Sequence, residues 1–133
     1  MKVITIEGEP GQASALKMCY AAWTKGSAAL LLAIRGLAEA EGVTGALLDE
    51  WAISQPGLEE QSKAAAVNTA PKAWRFVGEM EEIAATFREA SLPDQFHMGA
   101  AALYASLGEF KDQTESAQIE DVLEALKRSS KAY

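Results

Sequence analysis

The sequence predicts an all-α domain with one long central helix, about five further helices and a short strand at its N-terminus. Three observations carry this. The run from Gln12 to about Ala40 contains no proline and few helix-disfavouring residues. After Gly11 the apolar residues recur every three or four positions, the helical period. Only Lys2 to Glu7 alternates, with Val3, Ile4 and Ile6 among polar residues, and one strand cannot make a sheet.

Gly8-Glu9-Pro10-Gly11 ends that strand and precedes the first helix. At 1.5 Å per residue, that helix is a rod of roughly 40 Å. It is apolar on most faces (Ala15, Leu16, Met18, Ala22, Leu31, Ile34 and others), a pattern expected of a helix covered on several sides. Gly42 should stop it, and Thr44 should cap a short second helix carrying Leu47, Leu48 and Trp51, which ends before Pro56. A third helix runs from Leu58 to about Val67, and Pro71 suits the first position of a fourth. The fourth has an amphipathic stripe of Ala73, Phe76, Val77, Met80, Ile83, Ala84 and Phe87. Leu92-Pro93-Asp94 breaks the chain before a fifth helix with Phe96, Ala100, Leu103, Tyr104 and Leu107. A sixth, capped near Thr114, carries Ile119, Val122, Leu123 and Leu126, with Glu115 near its start and Lys127, Arg128 and Lys131 near its end. The domain reading is a strand and linker over 1–10 and a helical domain over 11–133.

The chain has 133 residues, 49% of them hydrophobic, which is one domain's length and enough for a real core. Twelve Lys and Arg against 19 Asp and Glu leave a net charge of −7, which repels nucleic-acid phosphates and acidic membrane surfaces. A lone cysteine, Cys19, and a lone histidine, His97, exclude an internal disulfide framework and leave too few soft ligands for a structural zinc site. The most apolar stretch, Ala28 to Ile34, is far too short to span a bilayer, and the N-terminus lacks a signal peptide's pattern. A metal-free, cytoplasmic chain with neither nucleic acid nor membrane as partner is the expectation.

Few residues bear chemistry. Gly8 and Gly11 lack the βαβ context and third glycine of a dinucleotide fingerprint. No spacing supports a triad from Ser14, His97 and Asp94. Cys19, amid apolar residues, reads as a small buried hydrophobe. Lys17 stands apart, placed early in the apolar helix between Leu16 and Met18. Desolvated there, its ammonium would lose its proton more readily and serve as an acid or base near neutral pH. With its stem lying along the helix and its head in water it would be ordinary, and the residues alone weigh these two readings evenly.

Gly8, Gly11, Ala13 and Lys17, together with Gly42, resemble the start of the C-terminal domain in the β-hydroxyacid dehydrogenase superfamily, which includes 3-hydroxyisobutyrate and 6-phosphogluconate dehydrogenases. The runs Gly11 to Met18 and Lys72 to Ala84 look closer still to the branch described as the C-terminal domain of NAD-binding phosphogluconate dehydrogenase-like proteins. The resemblance extends from the end of the strand to Phe110. It implies a 6-phosphogluconate dehydrogenase C-terminal fold, with residues 1–10 as the remnant of a Rossmann domain's last strand and its linker. Lys17 matches the superfamily's catalytic acid or base, and Gly11, Ser14, Tyr20 and His97 are the implied substrate contacts. NAD or NADP would be held by a preceding Rossmann domain and not by this chain, and the substrate would be a small anionic or carbonyl compound. A homodimer packed through the long helices is expected, and no turnover by this chain alone.

The departures bear on substrate. The superfamily commonly has an asparagine four residues after the lysine, where this chain has Ala21. The nearest counterpart of a later Lys-Asp pair is Gly78-Glu79, and a helix-start glycine has become Ala13. Tyr20, Trp23 and His97 are candidates to replace the missing polar contacts, although all three residue types are more often packing residues on such helices. Lys72 and Arg75 read as solvated cations of an amphipathic helix. The other function class left open is a stand-alone helical interaction module that has lost catalysis.

Overall fold

The computed structural model describes residues 10–113 and 115–130. These form six α-helices: α1 (Pro10–Ala40), α2 (Thr44–Ser54), α3 (Leu58–Thr69), α4 (Ala73–Glu89), α5 (Gln95–Ala105) and α6 (Ile119–Ser130). Short 3-10 turns at Ala70–Lys72 and Gly108–Phe110 complete them. There is no strand among the described residues, and the all-α class with one long helix holds. The strand expected over Lys2 to Glu7 lies outside the described residues, as do Gly8, the Thr114 cap and Lys131.

α1 touches each of the other five helices, while α4 and α5 form a tight antiparallel hairpin. The stripe on α4 packs as its period predicts: Ala73, Phe76, Met80, Ile83 and Ala84 are buried. Leu32 of α1, Tyr104 of α5, Leu107 and Val122 of α6 meet them, with no accessible surface left on any of the four. Each such side chain contributes about 1.5–3 kcal/mol by leaving water. The Phe76 and Tyr104 rings meet edge to face at 5.4 Å between centroids.

The ends of the elements explain where sequence expectation and structure part. α1 stops at Gly42 as expected: Gly42 takes φ +70°, and the Val43 amide donates to Ala38 O at 2.9 Å, closing a Schellman motif. Thr44 does not cap α2. Val43 holds the cap position, and the Thr44 hydroxyl donates instead to Glu39 Oε2 at 2.9 Å. Pro71 lies within the 3-10 turn rather than opening α4, because that turn absorbs the proline before Ala73. Leu107 lies past the end of α5 and is fully buried, whereas Phe96 within it is exposed. α6 starts later than expected, so Glu120 and Asp121 occupy its first turn rather than Glu115. Asp121 Oδ2 accepts from the Gln118 amide at 2.9 Å, one half of a capping box.

α1 itself is not covered on several sides. It buries the stripe of Ala29, Leu32, Arg35 and Ala38, and leaves Leu16, Tyr20, Trp23, Leu30 and Leu37 exposed. Its alanine-rich composition made every face look apolar, but these helices cover only one of them.

Candidate functional site

α1 carries four of the expected site residues on its first three turns. Gly11, Ser14, Lys17 and Tyr20 are all exposed and spaced by three, so each neighbouring pair shares a face while the set drifts around the helix. Gly11 and Tyr20 therefore project to opposite sides. The whole stretch Gly11 to Lys17 is exposed, and Met18 is the first residue of α1 to pack against the core. Cys19 is exposed and free, correcting the expectation of a buried thiol. Tyr20 and Trp23 are likewise exposed rather than packed, Trp23 by 74%.

His97 differs from the others. It is 8% exposed, and its Nε2 lies 3.0 Å from Ala22 O, a carbonyl acceptor to which Nε2–H donates. The ring stacks on Phe87 at 4.9 Å between centroids. It fits against α1 because Gly26 has no side chain: a Cβ there would lie 2.9 Å from Nε2. Nδ1 is buried with no hydrogen-bond partner. The structure thus brings His97 to Ala22 and Gly26, more than a helical turn beyond Lys17. His97 joins α5 to α1, and its imidazole lines an open apolar groove of about 430 Å³ with Ala22, Trp23, Gly26, Leu30 and Phe96.

Beside this groove, Lys25 is fully engaged. Its Nζ pairs with Glu79 Oε1 at 2.9 Å and sits 5.1 Å from the Phe76 ring centroid, while its carbonyl accepts from the Tyr104 hydroxyl at 2.5 Å. Burial, reinforced by the Glu79 carboxylate, pushes the ionisation of the Tyr104 phenol far above the ordinary tyrosine range. Glu79 of the Gly78-Glu79 pair thus ties α4 to α1. Lys72 and Arg75 are exposed, as expected. The neighbouring indole of Trp74 carries Lys111 Nζ at 4.3 Å from its centroid and Arg75 Cζ at 5.9 Å.

Two features escaped the sequence reading. Gly26 was legible only with knowledge of what crosses it. The exposed line Leu16, Tyr20, Trp23, Leu30 and Leu37 is spaced in the sequence by steps of four, three, seven and seven, a helical period blurred by the alanines around it. No group of three or more metal-ligating side chains occurs among the described residues, and no helix of the described residues is long and apolar enough to cross a membrane.

No curated protein and no solved structure matches this chain. A family model described as a domain of unknown function (DUF1932) matches residues 38–107, from the last buried residue of α1 through α5 to Leu107. The match takes in the α4–α5 hairpin, His97 and Tyr104, and stops short of Lys17. It spans more than half of the chain, which therefore belongs to this family.

Proposed function

We propose that this chain is the substrate-binding and dimerising half of an NAD(P)-dependent oxidoreductase of the β-hydroxyacid dehydrogenase type. The observation that carries this reading is the exposed opening of α1. There, Lys17 stands with Gly11, Ser14 and Tyr20 on turns that the rest of the described chain leaves uncovered. A lysine so placed is accessible to a second domain, which would supply the desolvation that makes an ammonium a usable acid or base. The resemblance of Gly8 to Lys17, and of Lys72 to Ala84, to the dehydrogenase C-terminal domain supports the same assignment.

The nicotinamide cofactor is assigned to a Rossmann partner because Gly8 and Gly11 lack the third glycine of a dinucleotide fingerprint and because the family resemblance places it there. The cofactor belongs to a Rossmann partner, and this chain alone should not turn over. Its own part is to hold or move a proton at the substrate's hydroxyl or carbonyl oxygen through Lys17 Nζ. Ser14 and Tyr20, each three residues from Lys17 on α1, border the approach, while Gly11 projects to the side opposite Tyr20 and His97 lies more than a turn further along the helix. The substrate class is a small anionic or carbonyl compound, and two copies pair through α1.

The second reading, a helical interaction module without catalysis, is favoured by one observation: α1 exposes large apolar side chains that no enzymatic step requires. Mixing the chain with a separately expressed Rossmann half separates the two. Hydroxy-acid oxidation that appears on mixing and vanishes in Lys17→Ala supports the enzyme. A stable complex or dimer without turnover leaves the interaction module.

A further inference from the structure

The start of α4 carries several features that weaken the fold and that nothing in the described chain explains. Lys72 holds the cap position of α4 and Arg75 stands in its first turn, where the helix dipole disfavours cations and no acidic residue offsets them. Lys111 follows the turn Gly108–Phe110, which packs on Ala70–Lys72. Its Nζ lies 4.3 Å from the centroid of the Trp74 indole, and Arg75 Cζ lies 5.9 Å from the same ring. None of these three cations forms an ion pair among the described residues, whereas Lys25, Lys63, Arg88 and Arg128 each do. Trp74 is 41% exposed. Gly78, one turn beyond Trp74 and Arg75 on the same face, is exposed, and a Cβ there would meet nothing within 4 Å. A glycine in mid-helix weakens α4 where an alanine would not, and no neighbour in the described chain requires it.

We propose that this face docks a short acidic segment of another protein, laid along the first two turns of α4. The first argument is charge complementarity. In a chain of net charge −7, three unpaired cations reverse the local field, so a carboxylate-rich segment is steered to them and repelled by their surroundings. The second is order. Lys111 and Arg75, held against the indole, lose less side-chain freedom on meeting a carboxylate than free-swinging cations would. Trp and Arg are also the residue types that dominate binding energy at protein interfaces. The third is room. Without a Cβ at position 78, the main chain of the docked segment comes close to α4.

The boundary of the patch shapes its occupant. Asp112 beside Lys111, and Glu81 and Glu82 beyond Gly78, are all exposed. The acidic stretch of the docked segment is therefore short, and past Gly78 it continues with basic or neutral residues. A nucleic acid does not fit this boundary, because its negative charge is uninterrupted. A small phosphate would use neither the indole nor the space at Gly78. The surface involves neither Lys17 nor the groove at His97, and it is independent of the dehydrogenase reading.

The probe is a fluorescein-labelled peptide of three glutamates followed by two lysines. Its anisotropy, titrated with the whole chain at low ionic strength, should show saturable binding. Arg75→Glu and Lys111→Glu should each weaken that binding by about tenfold or more, with unchanged far-ultraviolet circular dichroism. Lys63→Glu makes the same change of net charge on α3 and should leave the binding nearly unchanged. Gly78→Leu should abolish binding while raising the thermal midpoint, since leucine favours the helix and meets no neighbour. Loss of binding in a more stable chain cannot come from misfolding. A titration that never saturates would overturn the proposal, as would equal weakening by Lys63→Glu, which marks a response to total charge alone. So would binding that survives Gly78→Leu. Displacement of the labelled peptide by inorganic phosphate or oligothymidylate at lower concentration than by unlabelled peptide would also overturn it, and would identify a different ligand.

Discussion

His97 and Gly26 are fitted to each other across the α1–α5 contact: the imidazole occupies the space that a side chain at position 26 would fill, 2.9 Å from where its Cβ would stand. The ring has little room to retreat, being hydrogen-bonded to Ala22 O and stacked on Phe87. Gly26→Ala should therefore destabilise the fold by about 1–3 kcal/mol despite alanine's better helix propensity, which returns up to ~1 kcal/mol. Urea unfolding checks this. A Gly26→Ala chain as stable as the wild type would mean that the two helices separate easily.

Tyr104 sets an alkaline limit. Its phenol is buried near Glu79, so its ionisation lies above the ordinary tyrosine value of 10.0. The stability that comes from keeping it neutral is complete below that value. It then declines as pH rises, because the unfolded chain releases the proton first, by up to about 1.4 kcal/mol per pH unit. Tyr104→Phe loses the bond to Lys25 O and is expected to be less stable at pH 7 by about 1 kcal/mol. Its stability should fall less steeply above pH 10 than the wild type's. Parallel slopes for the two proteins, measured by urea titration from pH 8 to about 11, would contradict this.

Arg35 is 6% exposed, and the bond from its Nη1 to the Ser62 hydroxyl, 2.7 Å, is its polar contact among the described residues. Its Nε is buried without a partner. Arg35 forms no ion pair among the described residues, and an interior charge held there by a hydroxyl alone is a stability cost that apolar replacement removes. Arg35→Met should raise the thermal midpoint, with a gain of about 1–3 kcal/mol. Ser62→Ala should lower it by about 1–3 kcal/mol, since the guanidinium then loses that contact.

α4 ends on a residue ill-suited to its conformation. Ser91 takes φ +62°, and the Leu92 amide reaches back to Phe87 O at 2.9 Å, so a serine stands where Schellman motifs favour glycine. Ser91→Gly should stabilise the chain by about 1 kcal/mol. Calorimetry of the single variant is sufficient to show it.

The sequence was most informative where one face of an element meets the core. The stripe on α4, the stop at Gly42 and the order of six helices followed from spacing and from turn residues alone. It was least informative on α1. Alanine is at home both buried and exposed, and a helix built largely of it does not declare which side faces the bundle. That is why Cys19, Tyr20 and Trp23 were expected inside and stand outside. The candidate site shows the same division. Lys17 was legible as an oddity of its own helix. The pairing of His97 with Gly26 joins positions far apart in sequence, and so has no local signature. Thr44 shows a third limit: a residue type suited to capping can find a better partner, here Glu39, one turn earlier in the chain.

The separation between α1's partners also orders the events of synthesis. The α4–α5 hairpin closes through contacts near in sequence, and so can form as soon as both helices have emerged. α1, translated before the hairpin and α6, has Leu32 and Ala29 waiting for that hairpin, and Gly36 waiting for Leu126 of α6, 3.7 Å from where its Cβ would stand. For most of that interval α1 has neither its core face nor its exposed apolar residues covered. The nascent chain is then at its most adhesive, and a chaperone that holds extended apolar segments would find its target in residues 16–37.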